Sequence, residues 1–359
     1  MLSVVPMDAV APSDWDSVVH VSPQGWLFHL WDWVALEREV WGARSVSFLI
    51  RDEQRILAVC PLFAFDERVR FLRVFPGRVK LLRTGRMGMC EPALVPGLGA
   101  KQRERVLGLV FEYVDGLAEE HGADCFELAL SPLAPANLPG EQPGVNPFVP
   151  YGLEDVSTWV YMQDLSRDLG TLRNAMSHAL RKNIKWAERA GVRVGRVERA
   201  EELEEYYQLH LETYRRSGIQ PHPFPYFEQI WDRFGTRGLA VVFYAQYQGR
   251  KIDFLNLACF KGGVMYWTTC SATETRDLRA DAMVIHHVTR WARESGYRWV
   301  QVGEVFPNSP LSSKLHGIYR YKKGVGGDLR PYYKARRVYR PFRMALHPFF
   351  RSLRLSLSS

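Results

Sequence analysis

Lys322 precedes the glycine pair Gly326–Gly327. A flexible ammonium beside backbone without Cβ atoms is able to meet a ligand at close range. It reads equally as a surface lysine in a basic cluster with Arg320 and Lys323. A second set of cations, Arg181, Lys185 and Arg189, recurs every fourth residue, with Lys182 beside it and only Glu188 to offset it. On a helix these form one stripe. Such a stripe either grips phosphate oxygens by charge-assisted hydrogen bonds or faces solvent. In a third set Arg70, Arg73, Arg78, Lys80, Arg83 and Arg86 interleave with Val, Leu and Phe, which predicts strands with one charged face. Adjacent His286 and His287 point about 100° apart on a helix and cannot share one site. His316, in a Gly-rich loop ahead of Tyr319, is able to act as a base near neutral pH or to serve as a hydrogen-bonded structural histidine.

Other chemistries find no support. Cys60, Cys90, Cys125, Cys259 and Cys270 make no C-x-x-C pair and no zinc-like spacing with His. Three of them (Cys60, Cys125, Cys259) lie in apolar strand-like runs, where cysteine is a small buried hydrophobe. An odd count without a framework predicts a reducing compartment. No nucleophile triad, metal cluster or cofactor fingerprint is visible.

These residues are positioned by a pattern that the chain gives twice. Over 102–122, Val106, Leu109, Val110, Tyr113, Val114 and Leu117 have the spacing of a helix face, Gly122 stops it, and 125–130 reads as a buried strand. Over 281–296, Val284, Val288, Trp291 and Ala292 repeat the face, Gly296 stops it, and 299–302 reads as a strand. Upstream, apolar runs flank turns at 52–55 and 248–251, and a further strand follows the turn at 261–263. Each half thus runs strand, turn, strand, strand, helix, strand, which predicts an internal duplication. Residues 131–157, dense in Pro, Gly and Asn, form the joint. Beyond it come a strand at 158–165, one long helix from Leu169 to about Gly191, and two helices over 200–218 and 225–235.

The charge of +8 suits anionic partners but equally suits solubility. No stretch has the apolar length of a membrane span, and the first residues lack a basic region followed by an apolar one, so a cytoplasmic location is expected. The basic, apolar C-terminal segment, with Phe342, Leu346, Phe349, Phe350 and Leu353 on one face, packs on the body as a helix or touches a membrane surface through 338–355. Pro341 and Pro348 weaken a continuous helix there.

The stretch from Leu180 to Val192 resembles the helix that opens the second domain of FemAB-like proteins, which are tandem GNAT-fold transferases. Residues Tyr321 to Gly327 are similar to their late Phe-Lys-x-x-Phe-Gly-Gly element, with Tyr321 and Val325 at the two Phe positions. Residues 296–304 are similar to their pre-terminal strand, with Gln301 and Val302 where Asp-Phe precedes the glycine, here Gly303.

The resemblance implies an α/β (mixed α+β) fold of two tandem GNAT-like domains, each a mixed sheet flanked by helices. It places a degenerate acceptor-side domain at 1–155, a donor and catalytic domain at 156–335, and a basic helical tail at 336–359. It implies amide formation by transfer of an aminoacyl or acyl group onto an amine of a cell-envelope or polysaccharide-type acceptor. Lys322 would stabilise charge on the donor carbonyl. Arg181, Lys182, Lys185, Tyr321, Gly326 and Gly327 would bind substrate, and Arg83 and Arg86 would face an anionic small-molecule or lipid-linked acceptor. The co-substrate would be aminoacyl-tRNA or acyl-CoA, with no bound cofactor and no metal. Such a reaction needs fixed donors aimed at the developing oxyanion and little else. Two alternatives remain: an acyl-CoA-dependent N-acyltransferase acting on an amino sugar or lipid-linked amine, and a non-catalytic anion- or partner-binding member. Against a standard CoA site, the loop 276–282 lacks the glycines that expose backbone amides to a pyrophosphate.

Overall fold

A computed structural model describes residues 1–53, 55–71, 75–86 and 88–345. The chain divides into two units: residues 1–158 with the C-terminal return from Pro331, and residues 159–330.

The first unit begins with β1 (Leu2–Pro6), α1 (Pro12–Val21), α2 (Trp31–Trp41) and β2 (Arg44–Ser45). Next come β3 (Phe48–Asp52), β4 (Arg55–Cys60), β5 (Phe63–Phe71), β6 (Phe75–Arg83), β7 (Ala93–Leu94), α3 (Ala100–His121), β8 (Cys125–Ala129) and β9 (Glu154–Asp155). Its strands form two sheets. One has the order β1-β3-β4-β7, and the other begins β2-β5-β6-β8. Helix α3 buries Val106, Val110, Phe111, Val114 and Leu117 and ends at Gly122, whose φ of 60° is the left-handed cap. That face meets Phe48, Ile50, Leu57, Phe126 and Leu128 in one core. Each such side chain, fully buried, stabilises the unit by roughly 1.5–3 kcal/mol.

The second unit holds β10 (Thr158–Asp164), α4 (Leu169–Ala175), α5 (His178–Ala190), β11 (Arg193–Arg196), α6 (Glu202–Ser217) and α7 (Phe224–Ile230). After these come β12 (Ala240–Tyr247), β13 (Arg250–Phe260), β14 (Gly263–Ser271), α8 (Ala280–Glu294), β15 (Trp299–Val305), α9 (Lys314–Val325) and β16 (Asp328–Tyr332). Its seven-stranded mixed sheet has the order β11-β12-β13-β14-β15-β10-β16. The hairpins close with two left-handed residues each, Gln248–Gly249 and Lys261–Gly262. That backbone twist matches the twist of the flanking strands.

The duplicated pattern has a topological counterpart in each unit. Helix α3 leads into β8, which pairs parallel with β6. Helix α8 leads into β15, which pairs parallel with β14.

Three elements differ from the sequence-based expectation. The helix expected over 169–191 is broken into α4 and α5. Ser177 caps α5 through Oγ, which accepts from the Leu180 N–H at 3.2 Å, and Met176 is extended. A local side-chain bond thus overrides a periodicity that runs through the break. The Gly-rich loop expected around His316 and Lys322 is helix α9, capped by Ser313 Oγ accepting from the His316 N–H at 3.1 Å. The expected tail at 336–359 begins as a strand: β17 (Lys334–Val338) lies between β8 and β9 in the first unit. A short helix, α10 (Pro341–Ala345), follows it and buries Met344. Leu346, Phe349, Phe350 and Leu353 lie outside the described residues. Among the described residues no helix is long and apolar enough to cross a membrane.

Gly327 is a test of this packing. Its φ is 105°, and a Cβ there would stand 2.5 Å from the carbonyl oxygen of Met162 on β10. Gly327→Ala is expected to destabilise by more than about 1 kcal/mol, because both the conformation and the space exclude a side chain. Urea unfolding followed by circular dichroism measures it.

Candidate active site

Strands β14 and β15 are paired only from Gly263 to Met265 opposite Trp299 to Gln301. Beyond that point β14 continues to Ser271 and β15 to Val305, so the two strands part within the sheet. A bulge in the β13–β14 ladder lies between Asn256 and Leu257, where β14 gains Trp267 as the extra residue. Bulges of this kind re-aim side chains. The gap is a cavity of 140 Å³. Its walls come from β13 (Asp253), β14 (Tyr266, Trp267, Thr268), α8 (Asp281) and α9 (Tyr321, Lys322).

Lys322 is held by geometry set outside the cavity. Its Nζ donates to the carbonyl oxygen of Glu304 at 3.0 Å, past Gly303. Gly303 has a φ of 105°, and a Cβ on it would stand 2.6 Å from Nζ. The last turn of α9 is pinned by the Ser177 N–H donating to the Gly324 carbonyl at 2.9 Å and by Gln163 Nε2 donating to the Val325 carbonyl at 3.1 Å. Burial holds the Lys322 ammonium below the ordinary lysine range, with Glu304 opposing the shift. Two of its three N–H bonds remain for a ligand.

Across the cavity, Asp253 is 3% exposed. Burial, followed by the charge of Asp281, pushes its carboxyl well above the ordinary aspartate range. Asp281 accepts a 2.6 Å hydrogen bond from the Tyr321 hydroxyl. Burial first, then Asp281, raises that phenol. Thr268 exchanges a 2.6 Å hydrogen bond with the fully buried Tyr206 of α6, which fixes the bulged strand from behind. The cavity therefore carries one cation, two carboxyls, of which the buried Asp253 holds a proton more tightly than an ordinary aspartate, and largely apolar walls. That set suits polarising a carbonyl and receiving a proton.

Of the residues singled out in the sequence, Lys322 and Tyr321 line this cavity. Gly326 and Gly327 instead fit against protein backbone: their Cβ positions lie 3.0 Å from Ala175 O and 2.5 Å from Met162 O. Arg181 caps the end of α4, donating to the carbonyls of Asn174 (2.9 Å) and Met176. Lys182 and Lys185 are exposed on α5. In the first unit, Arg83 is paired to Glu127 at 2.5 Å and Glu67 at 2.8 Å. Arg86 lies over the Trp41 ring at 4.9 Å, while its N–H donates to Glu37. Arg78 pairs with Asp66, and the side chains of Arg70 and Arg73 lie outside the described residues. His316 packs beside Tyr319 on α9, 5.7 Å between ring centres. His287 packs on Phe243. Sequence reasoning missed Asp253, Asp281 and Trp267. The signal for Asp253 was the one acid in the run 252–260, which is apolar but for it and Asn256, since buried carboxyls are rare without a purpose.

A parted pair of parallel strands following a helix crossover, with a cavity in the gap, is the layout of the GNAT fold. The acetyltransferase (GNAT) domain family matches residues 174–323. Over the whole chain the fold is that of FemX, at 13% identity, TM-score 0.68, covering 96% of this chain and 99% of that one. L-PGS from Bacillus licheniformis is similar at 14% identity and TM-score 0.58, covering 95% and 96%. The C-terminal domain of a protein assigned as a lysylphosphatidylglycerol synthetase from Agrobacterium fabrum is similar at 14% identity and TM-score 0.52, covering 80% and 84%. No curated protein matches the chain. The match places a GNAT domain in the second unit, and the likeness to FemX extends the fold over the chain.

Gly303→Ala is expected to shift the Lys322 ammonium while leaving the core filled. A displacement near 1 Å at a reacting group costs about 100-fold in rate. Turnover of Gly303→Ala, Lys322→Met and the double variant checks this. If the glycine acts through Lys322, the double variant is no slower than Lys322→Met.

Proposed function

We propose that the second unit moves an aminoacyl group from an activated ester onto an amine of a cell-envelope acceptor. The observation that carries this reading is that the partly buried Lys322 ammonium and the buried Asp253 carboxyl line one cavity large enough for a small acyl group. Similarity to FemX and to a lysylphosphatidylglycerol synthetase supports aminoacyl transfer and an envelope acceptor.

In the step, the amine nitrogen attacks the donor carbonyl and a C–N bond forms. Lys322 donates to the developing oxyanion, an interaction stronger in the transition state than in the ground state. The amine gives its proton to the carboxylate of Asp253. As the ester C–O bond breaks, the leaving oxygen takes that proton, so Asp253 returns to its starting form. The raised affinity of Asp253 for a proton suits it to both halves of this transfer.

Turnover is read as deacylation of a charged-tRNA pool, and in parallel as release of free CoA from acetyl-CoA. Lys322→Met is expected to lose about 100- to 1000-fold, the usual cost of one oxyanion donor. Lys323→Met, on the same helix, is expected to keep its rate. Asp253→Asn is expected to lose about 100- to 10,000-fold as a general base. Asp253 must be ionised and Lys322 protonated. The rate therefore rises with pH through an acid limb above the ordinary aspartate range. It falls through an alkaline limb below the ordinary lysine range. CoA release without tRNA deacylation would exclude an aminoacyl-tRNA donor. Full activity of Lys322→Met would remove Lys322 from the step.

A further inference from the structure

Simple GNAT enzymes hold a pyrophosphate at the turn before the helix that α8 represents here. In this chain that turn is closed. Residues Arg276–Leu278 form a 3-10 turn, Arg279 adopts the left-handed conformation with φ 56°, and Trp186 Nε1 donates to the Asp277 carbonyl at 3.2 Å. Asp277 and Asp281 add two carboxylates at the same end of α8. Like charge there opposes a phosphate, offsetting the favourable helix dipole.

A second cavity, of 270 Å³, opens between α4 and α8 on a different face of α8 from the one that lines the Lys322 cavity. Its polar lining is Arg173, His286, Thr289 and Arg290, and no carboxylate lines it. The guanidinium of Arg173 makes no hydrogen bond and no ion pair among the described residues. Arg290 is paired only along its own helix, to Glu294 at 2.7 Å, with both side chains more than half exposed. Exposed pairs of this kind are weak and yield readily to a better anion. Burial first, then the charges of Arg173 and Arg290, hold the His286 imidazole below its ordinary value, which marks the three groups as close together. A chain of hydrogen bonds links the cavity to the Lys322 helix: Thr289 Oγ donates to Gln163 Oε1 at 3.2 Å, and Gln163 in turn holds the end of α9 that carries Lys322.

We propose that the α4–α8 cavity is a phosphate-binding subsite, taking the phosphoryl or diphosphoryl group of a substrate. Arg173 and Arg290 supply paired N–H donors of the geometry that phosphate oxygens accept, and His286 supplies a further donor. The anion site stands on the lining itself. Only the claim that its ligand is a substrate of Lys322 rests on the acyl-transfer reading.

The test is calorimetric titration of the full chain with inorganic pyrophosphate at low salt. Wild type is expected to bind at one site per chain. Arg173→Gln and Arg290→Gln are each expected to bind about 10-fold more weakly, the usual effect of losing a charged hydrogen bond. Lys101→Gln, at an exposed position of α3 in the first unit, is expected to bind like wild type. Absence of binding in wild type, wild-type affinity in both arginine variants, or an equal loss in Lys101→Gln would overturn the site. Melting curves confirm that each variant is folded. The source of the phosphate is read by displacing bound pyrophosphate with CoA or with uridine diphosphate. Displacement by CoA assigns the subsite to a donor, and displacement by uridine diphosphate assigns it to a nucleotide-linked acceptor. Displacement by neither would overturn a substrate role. Binding needs no turnover, so failure of the anion site and failure of the acyl-transfer reading are separate results.

Discussion

A lysine ammonium taken partly out of water costs free energy unless its N–H bonds are satisfied. The second unit meets that cost with one backbone carbonyl, Glu304 O, presented at 3.0 Å by a strand that has left its neighbour. The rest of the site follows from this contact. Strand β15 must part from β14 so that the carbonyl is free of the ladder. Gly303 must lack a side chain so that Nζ passes. Helix α9 must end in a fixed place, which the Ser177 and Gln163 hydrogen bonds and the glycine pair ensure.

The same arrangement explains why both charged partners of the cavity depart from their ordinary proton affinities in opposite directions. Burial disfavours the charged form of each, raising the Asp253 carboxyl and lowering the Lys322 ammonium. Groups so displaced lie closer to neutrality, where a proton moves at lower cost. Elsewhere the unit is stiff: Tyr206, Phe227 and Phe254 pack edge-to-face behind the bulged strand, at 4.7 and 5.4 Å between ring centres. Rigid support of this kind is what lets a small number of groups act by position.

In the first unit the same layout carries paired cations. Its helix-to-strand crossover repeats that of the second unit, but Arg83, which interleaving made conspicuous, is spent on Glu67 and Glu127, and Arg86 on Trp41. The C-terminal return inserts β17 between β8 and β9, where Arg336 and Arg337 pair with Glu154 and Asp115. Many of the basic side chains read from composition are thus held in internal ion pairs, and net charge says little about partners.

The sequence by itself determined the elements whose signals are local. Period-3.6 faces with glycine stops gave α3 and α8, and two-residue turns gave the hairpins of the second sheet, because these depend on neighbours a few residues apart. It also showed the repeat and the residues that resemble the FemAB-like pattern, Lys322 among them. It did not give the break at Met176–Ser177, the helical state of 314–325 or strand β17. Each depends on a partner distant in sequence or on a cap that competes with periodicity. Only the tertiary structure brought Asp253 opposite Lys322, sixty-nine positions apart in the chain, and turned Gly326 and Gly327 from ligand contacts into packing contacts. Whether a charged side chain meets solvent, a carboxylate or a cavity is decided by which strands part and which helices close over them, and that is a property of the packed sheet, not of any single segment.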